Sequence, residues 1–402
     1  MQEIIIIAHV PSDSVTEGFI PAAQALGLSV ILLTDCVHAH HVHFSKSKSA
    51  LTPQEVIACD VFNPIAVIDI ISQRQHKPAA IFSNSDHLQS STALAADYFG
   101  LAGKDWRTTY RAKNKAAMRQ HLAALKIDTV WHTVLCDIDQ LASHKAHIPF
   151  PAILKPRAGV ASQHVSLVYD YDHLYQQCET FWLAHPGQVL LLEEYLEGPL
   201  YTLETLGDGK CLQVLGGFHV TLSPPPHFIE LEATWQPNTL QQQQDRVLDI
   251  ITRFSIGFGS CHTEYVMTAQ GPRIIEINYR TIGDYREFLL CEALHIPLFE
   301  IIIRLHLGES LPTLELAKDT AHIRYFTASS SGKIQLAPNA FVSKEKQTHI
   351  TYRPLRHSGE VIKLSYSNKD YLGVLQGTSA CAQTLTDEIN KASKTLSWEI
   401  TI

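Results

Sequence analysis

His262-Thr-Glu-Tyr-Val-Met-Thr-Ala-Gln-Gly-Pro-Arg-Ile-Ile-Glu-Ile-Asn-Tyr-Arg-Thr-Ile-Gly-Asp-Tyr-Arg286 is the stretch that decides the fold. Polar and apolar residues alternate from His262 to Met267 and again from Arg273 to Asn278, with Ala269-Gln-Gly-Pro272 as turn chemistry between them. The alternation predicts a β-hairpin. Strand side chains alternate faces, so Glu276 and Asn278 share one face, and Glu264 reaches that face from the partner strand. Two carboxylates so close repel unless something positive lies between them. A hard divalent cation such as magnesium suits these oxygen ligands and takes the rest of its shell from water and substrate phosphates. Arg280 follows at a two-residue step, and its guanidinium suits phosphate or carboxylate. The stretch reads as a magnesium–phosphate platform. A surface hairpin with ordinary solvated charges is the alternative.

A chain of 402 residues suggests two to three domains and allows a substantial core. The formal net charge of −8 argues against a general nucleic-acid role. Apolar runs such as Ile4 to Ile7 and Ile301 to Ile303 are far too short to span a bilayer, so no membrane partner is expected. Met1-Gln-Glu-Ile leads directly into a strand without a basic region, so no signal peptide is expected. The eight cysteines form no C-x-x-C pair and lie in apolar contexts, which reads as reduced core thiols in a cytoplasmic protein. The dense histidine group His38-Ala-His-His-Val-His43 matches no standard zinc spacing. It is expected to be a solvated loop after the second strand.

From the N-terminus, Glu3 to His9 reads as a buried parallel strand, Pro11 to Gly18 as a polar loop, and Phe19 to Leu26 as a helix closed by Gly27. Leu28 to Thr34 is a second strand, and Ala58 to Val61 a third. Pro64 to Gln75 is a helix, Ala79 to Ser83 a strand, and Gln89 to Phe99 a helix ended by Gly100. This is an open parallel α/β domain. It lacks the G-x-G-x-x-G expected of a dinucleotide site. Ligands of such sheets bind at the carboxyl ends of the strands, where Ser83-Asn-Ser-Asp-His87 lies. A helix N-cap is the other reading of that loop. Asn114 to Leu125 is rich in helix formers. Phe150 to Arg157 is an apolar strand ending in Lys155, followed by a loop and a strand from Val165 to Tyr169, an arrangement that suits a phosphate lid. Gln213 to Thr221 reads as one strand containing Gly216-Gly217. Asn238 to Phe254 is an amphipathic helix. Cys291 to Leu307 is helical with a break at Pro297, and Ala380 to Lys391 is a final helix.

The chain resembles the ATP-grasp superfamily. The carrying residues are Glu264, then Glu-x-Asn-x-Arg from Glu276 to Arg280 with Gly283-Asp284 behind it, Asn114-Lys-x-x-Met-Arg119, Lys155, and the hinge Glu193-Glu-Tyr-Leu196. The nearest subgroup is the carboxylate–amine ligases that include L-amino-acid ligases. Gly373-Val-Leu-Gln-Gly-Thr-Ser379 resembles the C-terminal subdomain of the biotin-carboxylase-like branch. The resemblance implies an α/β fold of several subdomains. These are an N-terminal parallel domain (1–110), a nucleotide lid (111–192), an antiparallel-sheet catalytic domain (193–312) and a C-terminal subdomain closing the site (313–402). It implies ATP and one or two Mg2+ ions, with Mn2+ able to substitute. The metal ligands would be Glu264, Glu276 and Asn278, with Arg280 and Glu276 catalytic. Lys115 (Lys113 as fallback) and Lys155 would hold phosphate, with Gly159 and Ser162 in the lid Arg157-Ala-Gly-Val-Ala-Ser-Gln-His164, which is poorer in glycine than in relatives. Glu193, Glu194, Tyr195 and Leu196 would surround adenine.

D-alanine–D-alanine ligases carry a ribose-binding glutamate where this chain has Leu200. Glu204 would then hold ribose, or else face the reacting centre. Phe228-Ile-Glu230 with Trp235-Gln-Pro237 resembles the segment near the amino-substrate pocket. Ser85, Asp86, Glu230, His262, Gly283 and Asp284 are the substrate candidates. The implied activity is phosphorylation of a carboxylate to an acyl phosphate and its condensation with an amine, releasing ADP and phosphate. Relatives often serve specialised pathways, including peptide antibiotics and siderophores, and are often homodimers. A bicarbonate-activating carboxylase and a nucleotide-binding module without catalysis are the other readings. The first is permitted by the C-terminal resemblance, the second by Leu200 and the glycine-poor lid.

Overall fold

The structure, a computed structural model, describes residues 2–46, 51–235, 241–345 and 347–401. The Ile-rich run near the N-terminus becomes β1 (Glu3–Ile7), whose residues Ile4 to Ile7 are fully buried. It pairs in parallel with β2 (Ser29–Thr34), which pairs with β3 (Glu55–Ala58), while β4 (Ala80–Phe82) closes the other side of β1. Helices α1 (Ile20–Ala25), α2 (Val37–Lys46) and α3 (Pro64–Ser72) link the strands, and α4 (Gln89–Tyr98) follows β4.

Three local readings need correcting here. The expected polar loop contains a π-helical turn, Ser14–Phe19, that runs into α1. Val15 and Phe19 are buried there, and Gly18 packs so closely under Phe299 that a Cβ would lie 2.4 Å from its ring. The histidine group is α2 rather than a loop, with His40 fully buried and its Nε2 3.1 Å from the His9 carbonyl. Finally, β3 precedes the expected third strand, because its register sets Glu55 to Ala58 against Ile31 to Thr34.

Two helices, α5 (Trp106–Lys113) and α6 (Lys115–Ala124), lead to the next unit. Asn114 caps α6, accepting a hydrogen bond from the Ala117 amide. That unit holds β5 (His132–Leu135), α7 (Ile138–His144), β6 (Ala152–Pro156), β7 (Ser166–Val168), α8 (Tyr171–Ala184) and β8 (Leu190–Glu194). Its antiparallel sheet has the order β5-β8-β6-β7.

The central unit holds β9 (Leu200–Asp208), β10 (Leu212–Gly216), β11 (Phe218–Leu222), β12 (Glu230–Trp235), α9 (Gln241–Arg253), β13 (Phe258–Thr268), β14 (Gly271–Asn278), α10 (Arg286–Leu294) and α11 (Leu298–His306). After it come β15 (Thr320–Thr327), β16 (Gly332–Leu336), β17 (Phe341–Glu345), β18 (Thr348–Pro354), β19 (Val361–Ile362), β20 (Tyr371–Ser379), α12 (Ala382–Ser393) and β21 (Glu399–Thr401). One sheet runs β14-β13-β9-β11-β12-β15-β20-β18-β17, with β10 attached to β9. The chain beyond residue 313 therefore extends the central sheet through the β12–β15 pairing. The Gly373 segment forms β20, an interior strand buried along its length. Residues 236–240, which carry Pro237 and the expected start of the amphipathic helix, lie outside the described residues.

The single strand expected across Gly216-Gly217 is two strands, both pairing with β9. Gly216 has φ 135°, and a Cβ on Gly217 would lie 1.8 Å from the Thr202 carbonyl oxygen. No side chain fits at that approach. Gly217→Ala is expected to destabilise the protein by about 2–3 kcal/mol, read as a lower urea midpoint; an unchanged midpoint would contradict the close approach.

All eight cysteines are free, as expected, but their placement differs: Cys136, Cys211 and Cys381 are exposed, and only Cys59, Cys178 and Cys261 are buried. Among the described residues no helix is long and apolar enough to cross a membrane.

Candidate active site

The hairpin forms as the alternation requires, and its register fixes the chemistry. Glu264 on β13 lies directly opposite Glu276 on β14, and His262 opposite Asn278. On the other side of β13, His262 lies opposite Glu204 of β9. Like charges directly opposite destabilise a sheet unless neutralised. The chain supplies cations of its own. Lys115 Nζ donates to Glu276 Oε1 at 2.7 Å, and His262 Nε2 lies 3.2 Å from Glu264 Oε1. Asn278 Nδ2 donates to the same Glu264 oxygen at 3.3 Å, which leaves its Oδ1 as an oxygen donor. Among the described residues, Oε2 of Glu264 and of Glu276 makes no hydrogen bond. Two carboxylate oxygens and one amide oxygen thus remain available, a donor set that fits a hard divalent cation.

Above this hairpin lies a cavity between the β5-β8-β6-β7 sheet with its loops and the central sheet. Its cationic side holds Lys115 and Lys155. Lys115 Nζ also donates to the Gly159 carbonyl at 2.7 Å, tying the lid loop to β14 through Glu276. Burial opposes the charge on Lys115, but Glu276 more than compensates and its pKa is raised. Lys155 Nζ sits 2.5 Å from Glu193 Oε2, while Arg119 Nε donates to Glu193 Oε1 at 2.7 Å. Burial works against the Glu193 charge, yet Arg119 and Lys155 together bring its pKa down to about 2. Arg119 Nη1 also donates to the Ile274 carbonyl at 2.6 Å, anchoring lid and hairpin together. Nothing in the Asn114-Lys-x-x-Met-Arg119 motif signals this role of Arg119.

Gly159, Ser162, Glu194, Tyr195 and Leu196 all line the cavity with the two lysines. The lid loop takes left-handed backbone at Ala161, Ser162 and His164, with φ of 55° to 57°. Such conformations are costly for residues with a Cβ and cluster at functional loops. The glycine-poor lid thus reaches glycine-like geometry without glycine. Glu193 also lines the cavity, and its carboxylate is the anion of a buried ion triad with Arg119 and Lys155. Glu204 does not line the cavity. It is buried on the same face of the sheet as His262 and Asn278, with Oε1 2.8 Å from His262 Nδ1. Leu200, Leu222, Val266 and Ile275 make an apolar wall instead.

His262 is held between two carboxylates. Burial disfavours its charge, but Glu204 and Glu264 override this and raise its pKa to about 9. Burial likewise opposes the Glu264 charge, and His262, Arg286 and Arg280 hold that carboxyl below the usual range. The folded pKa of His262 exceeds its ordinary 6.5, so its stabilising contribution is complete below 6.5 and is lost as pH rises through about 9. Stability measured by urea unfolding is expected to fall across this window, and His262→Gln to show a shallower fall. An identical slope in that variant would remove the imidazolium assignment.

The remaining candidates surround the same face. Burial disfavours the charge on Asp86, but its ion pair with Lys113 and the nearby Arg280 bring its pKa down to about 2. Lys113 is therefore engaged with Asp86 and does not line the cavity. Ser85 makes no side-chain cap, so the capping alternative for this loop is not realised by Ser85. Asn84 Oδ1 accepts from the Thr281 amide at 3.2 Å, which brings the loop against the end of the hairpin. Arg280 Nη1 donates to the Thr281 carbonyl at 2.9 Å, and Gly283 leaves the guanidinium room. Asp284 and Tyr285 both have left-handed backbone, with the Asp284 carbonyl accepting from Tyr325 Oη at 2.8 Å. Glu230 pairs with the buried Arg286 at 2.6 Å; desolvation raises the Glu230 pKa despite Arg286. Arg286 ends the quoted stretch, yet its partnership across 56 residues left no local signal.

The arrangement can hold a polyanion between two lysines, place oxygen donors for a cation beneath it, and present Arg280 and the Glu230–Arg286 pair to a second molecule. Comparison with known proteins agrees on the fold. A Bacillus licheniformis L-amino acid ligase superposes with TM-score 0.78 at 16% identity, covering 100% of this chain and 99% of that one. Phosphoribosylglycinamide synthetase from Anaerococcus prevotii gives 0.74 at 14% identity, covering 100% of both chains. The biotin carboxylase domain of Hydrogenobacter thermophilus 2-oxoglutarate carboxylase, solved with MgADP and bicarbonate, gives 0.72 at 16% identity over 99% of this chain and 91% of that one. This chain has the ATP-grasp fold. In sequence it is 27% identical over 292 residues to the uncharacterized protein y4rH of Sinorhizobium fredii (strain NBRC 101917 / NGR234), a match spanning 70% of this chain and 60% of that protein. No family model matches.

Proposed function

We propose that this protein is an ATP-dependent carboxylate–amine ligase that forms an amide or dipeptide bond through an acyl phosphate. The observation that carries the reading is the opposed pair Glu264 and Glu276, with Asn278 beside them, facing a cavity whose other wall presents Lys115 and Lys155. A nucleotide-binding module has no need of that donor set. Glu264, Glu276 and Asn278 would hold Mg2+, which when bound supplies charge neutralisation on the transferred phosphoryl group. Lys115 and Lys155 hold the phosphates, and the lid loop covers them and excludes water, which would otherwise hydrolyse the activated carboxylate. Tyr195 and Leu196 bound the nucleotide's ring. Arg280 stabilises negative charge on the acyl phosphate and on the tetrahedral species formed when the amine attacks. Glu230 with Arg286 recognises the amino substrate. The working form is proposed to be a homodimer in the cytoplasm.

The test is ADP release with magnesium-ATP against a panel of amino acids, amines, hydroxy acids and polycarboxylic acids, singly and in pairs, with product masses read in parallel. The expected result is ADP release requiring two substrates and a product lighter than their sum by one water. The likeness to biotin carboxylase domains motivates a second reading, activation of bicarbonate. Bicarbonate-dependent ADP release without any amine would favour it. Silence across the panel with ATP bound would favour the binding module.

A further inference from the structure

His9, Asp35 and Cys36 stand at the carboxyl ends of β1 and β2, outside the cavity just described. His9 Nδ1 lies 2.8 Å from Asp35 Oδ1 and 2.9 Å from Oδ2, and Cys36 Sγ lies 3.6 Å from the same Nδ1. Among the described residues this is the one group of three His, Cys, Asp or Glu side chains whose ligand atoms all fall within 4.8 Å of one another. We propose that His9, Asp35 and Cys36 form a binding site for a divalent cation of the zinc class, with a fourth position open to water or to a donor atom of a small molecule.

The geometry distinguishes this from a proton relay. In a Cys-His-Asp relay, thiol and carboxylate engage opposite nitrogens of the ring. Here both converge on Nδ1, so the three donors surround one point in space. The spacing suits zinc. With Zn–N of about 2.0–2.1 Å and Zn–S of about 2.3 Å in a tetrahedral shell, nitrogen and sulfur lie about 3.6 Å apart. The nitrogen–oxygen separation must open from 2.8 Å by about half an ångström, within the reach of the exposed Asp35. Imidazole, thiolate and carboxylate together favour zinc over magnesium or calcium.

The surroundings fix the ligands as second-sphere groups do. Thr34 Oγ1 donates to the His9 carbonyl at 2.7 Å and accepts from the Cys36 amide at 3.0 Å, so one hydroxyl sets the spacing of both ligands. The buried His40 lies with Nε2 3.1 Å from the His9 carbonyl, and Phe62 packs edge-on to the His9 ring at 5.3 Å between centroids. The backbone is thereby held while the donor atoms stay accessible. The inference is independent of the ligase reading.

The full chain, freed of metal by a chelator, is titrated with Co2+ and then with Zn2+ against a chromophoric chelator. The expected result is one thiolate-to-cobalt charge-transfer band at one equivalent, displaced by Zn2+, and absent in Cys36→Ser. His9→Gln and Asp35→Asn are expected to weaken Zn2+ binding at least about 10-fold, since even second-sphere losses cost that much. Circular dichroism checks that each variant is folded, and the two non-cysteine variants carry the test should Cys36→Ser fail to fold. No charge-transfer band, a band that survives Cys36→Ser, or Zn2+ affinity unchanged in both other variants would overturn the proposal.

Discussion

Glu276→Gln is expected to lower ADP-forming turnover by at least about 10²-fold while leaving the fold intact. The substitution is nearly isosteric, and the new amide oxygen can still accept from Lys115 Nζ, now 2.7 Å from Glu276. The tie between lid and hairpin survives. What is lost is one of two opposed negative charges beneath the cavity, and removal of one preorganised electrostatic group in a water-excluded site costs about 10²–10³ in rate. Steady-state ADP release at saturating magnesium-ATP, with circular dichroism in parallel, reads the effect. Near-normal turnover would remove the metal assignment from the hairpin.

Arg119→Met is expected to cost about 3–5 kcal/mol of stability. Arg119 is 1% exposed and Glu193 3%, so their pairing is screened little by solvent. Loss of the guanidinium leaves Glu193 with Lys155 alone and unbinds the Ile274 carbonyl. The urea midpoint should drop accordingly. Replacing Arg119, Glu193 and Lys155 together by apolar residues should recover much of the loss, because the penalty lies in the uncompensated charge. A triple variant as unstable as the single one would show that packing, not charge, is at stake.

Much of this was legible in the chain itself. The hairpin's alternation placed Glu264, Glu276 and Asn278 on one face, and the register agrees. The parallel N-terminal sheet followed from β1 and β2, whose continuous apolar runs leave few other options. Pairings between distant residues were not legible. Lys115 meets Glu276 across 161 residues and Arg119 meets Glu193 across 74, and neither leaves a periodic trace. The partner of Glu204 was not legible for the same reason. Its role depends on which strand lies beside β9, and the register opposite His262 is a property of the whole sheet. The α2 histidines looked like loop because polar letters dominate, although one buried ring and a backbone contact suffice to seat the helix.

The β20 strand has a consequence for how the chain is made. It lies between β15 and β18, although residues 371–379 are synthesised after both of them. While the ribosome is still at work, β15 and β18 have emerged but lack the neighbour that separates them. Such unpaired edges expose nascent chains to aggregation. The sheet reaches its full width only once residues 371–379 have emerged. A stop codon before Tyr371 would therefore remove an interior seam rather than a trailing tail.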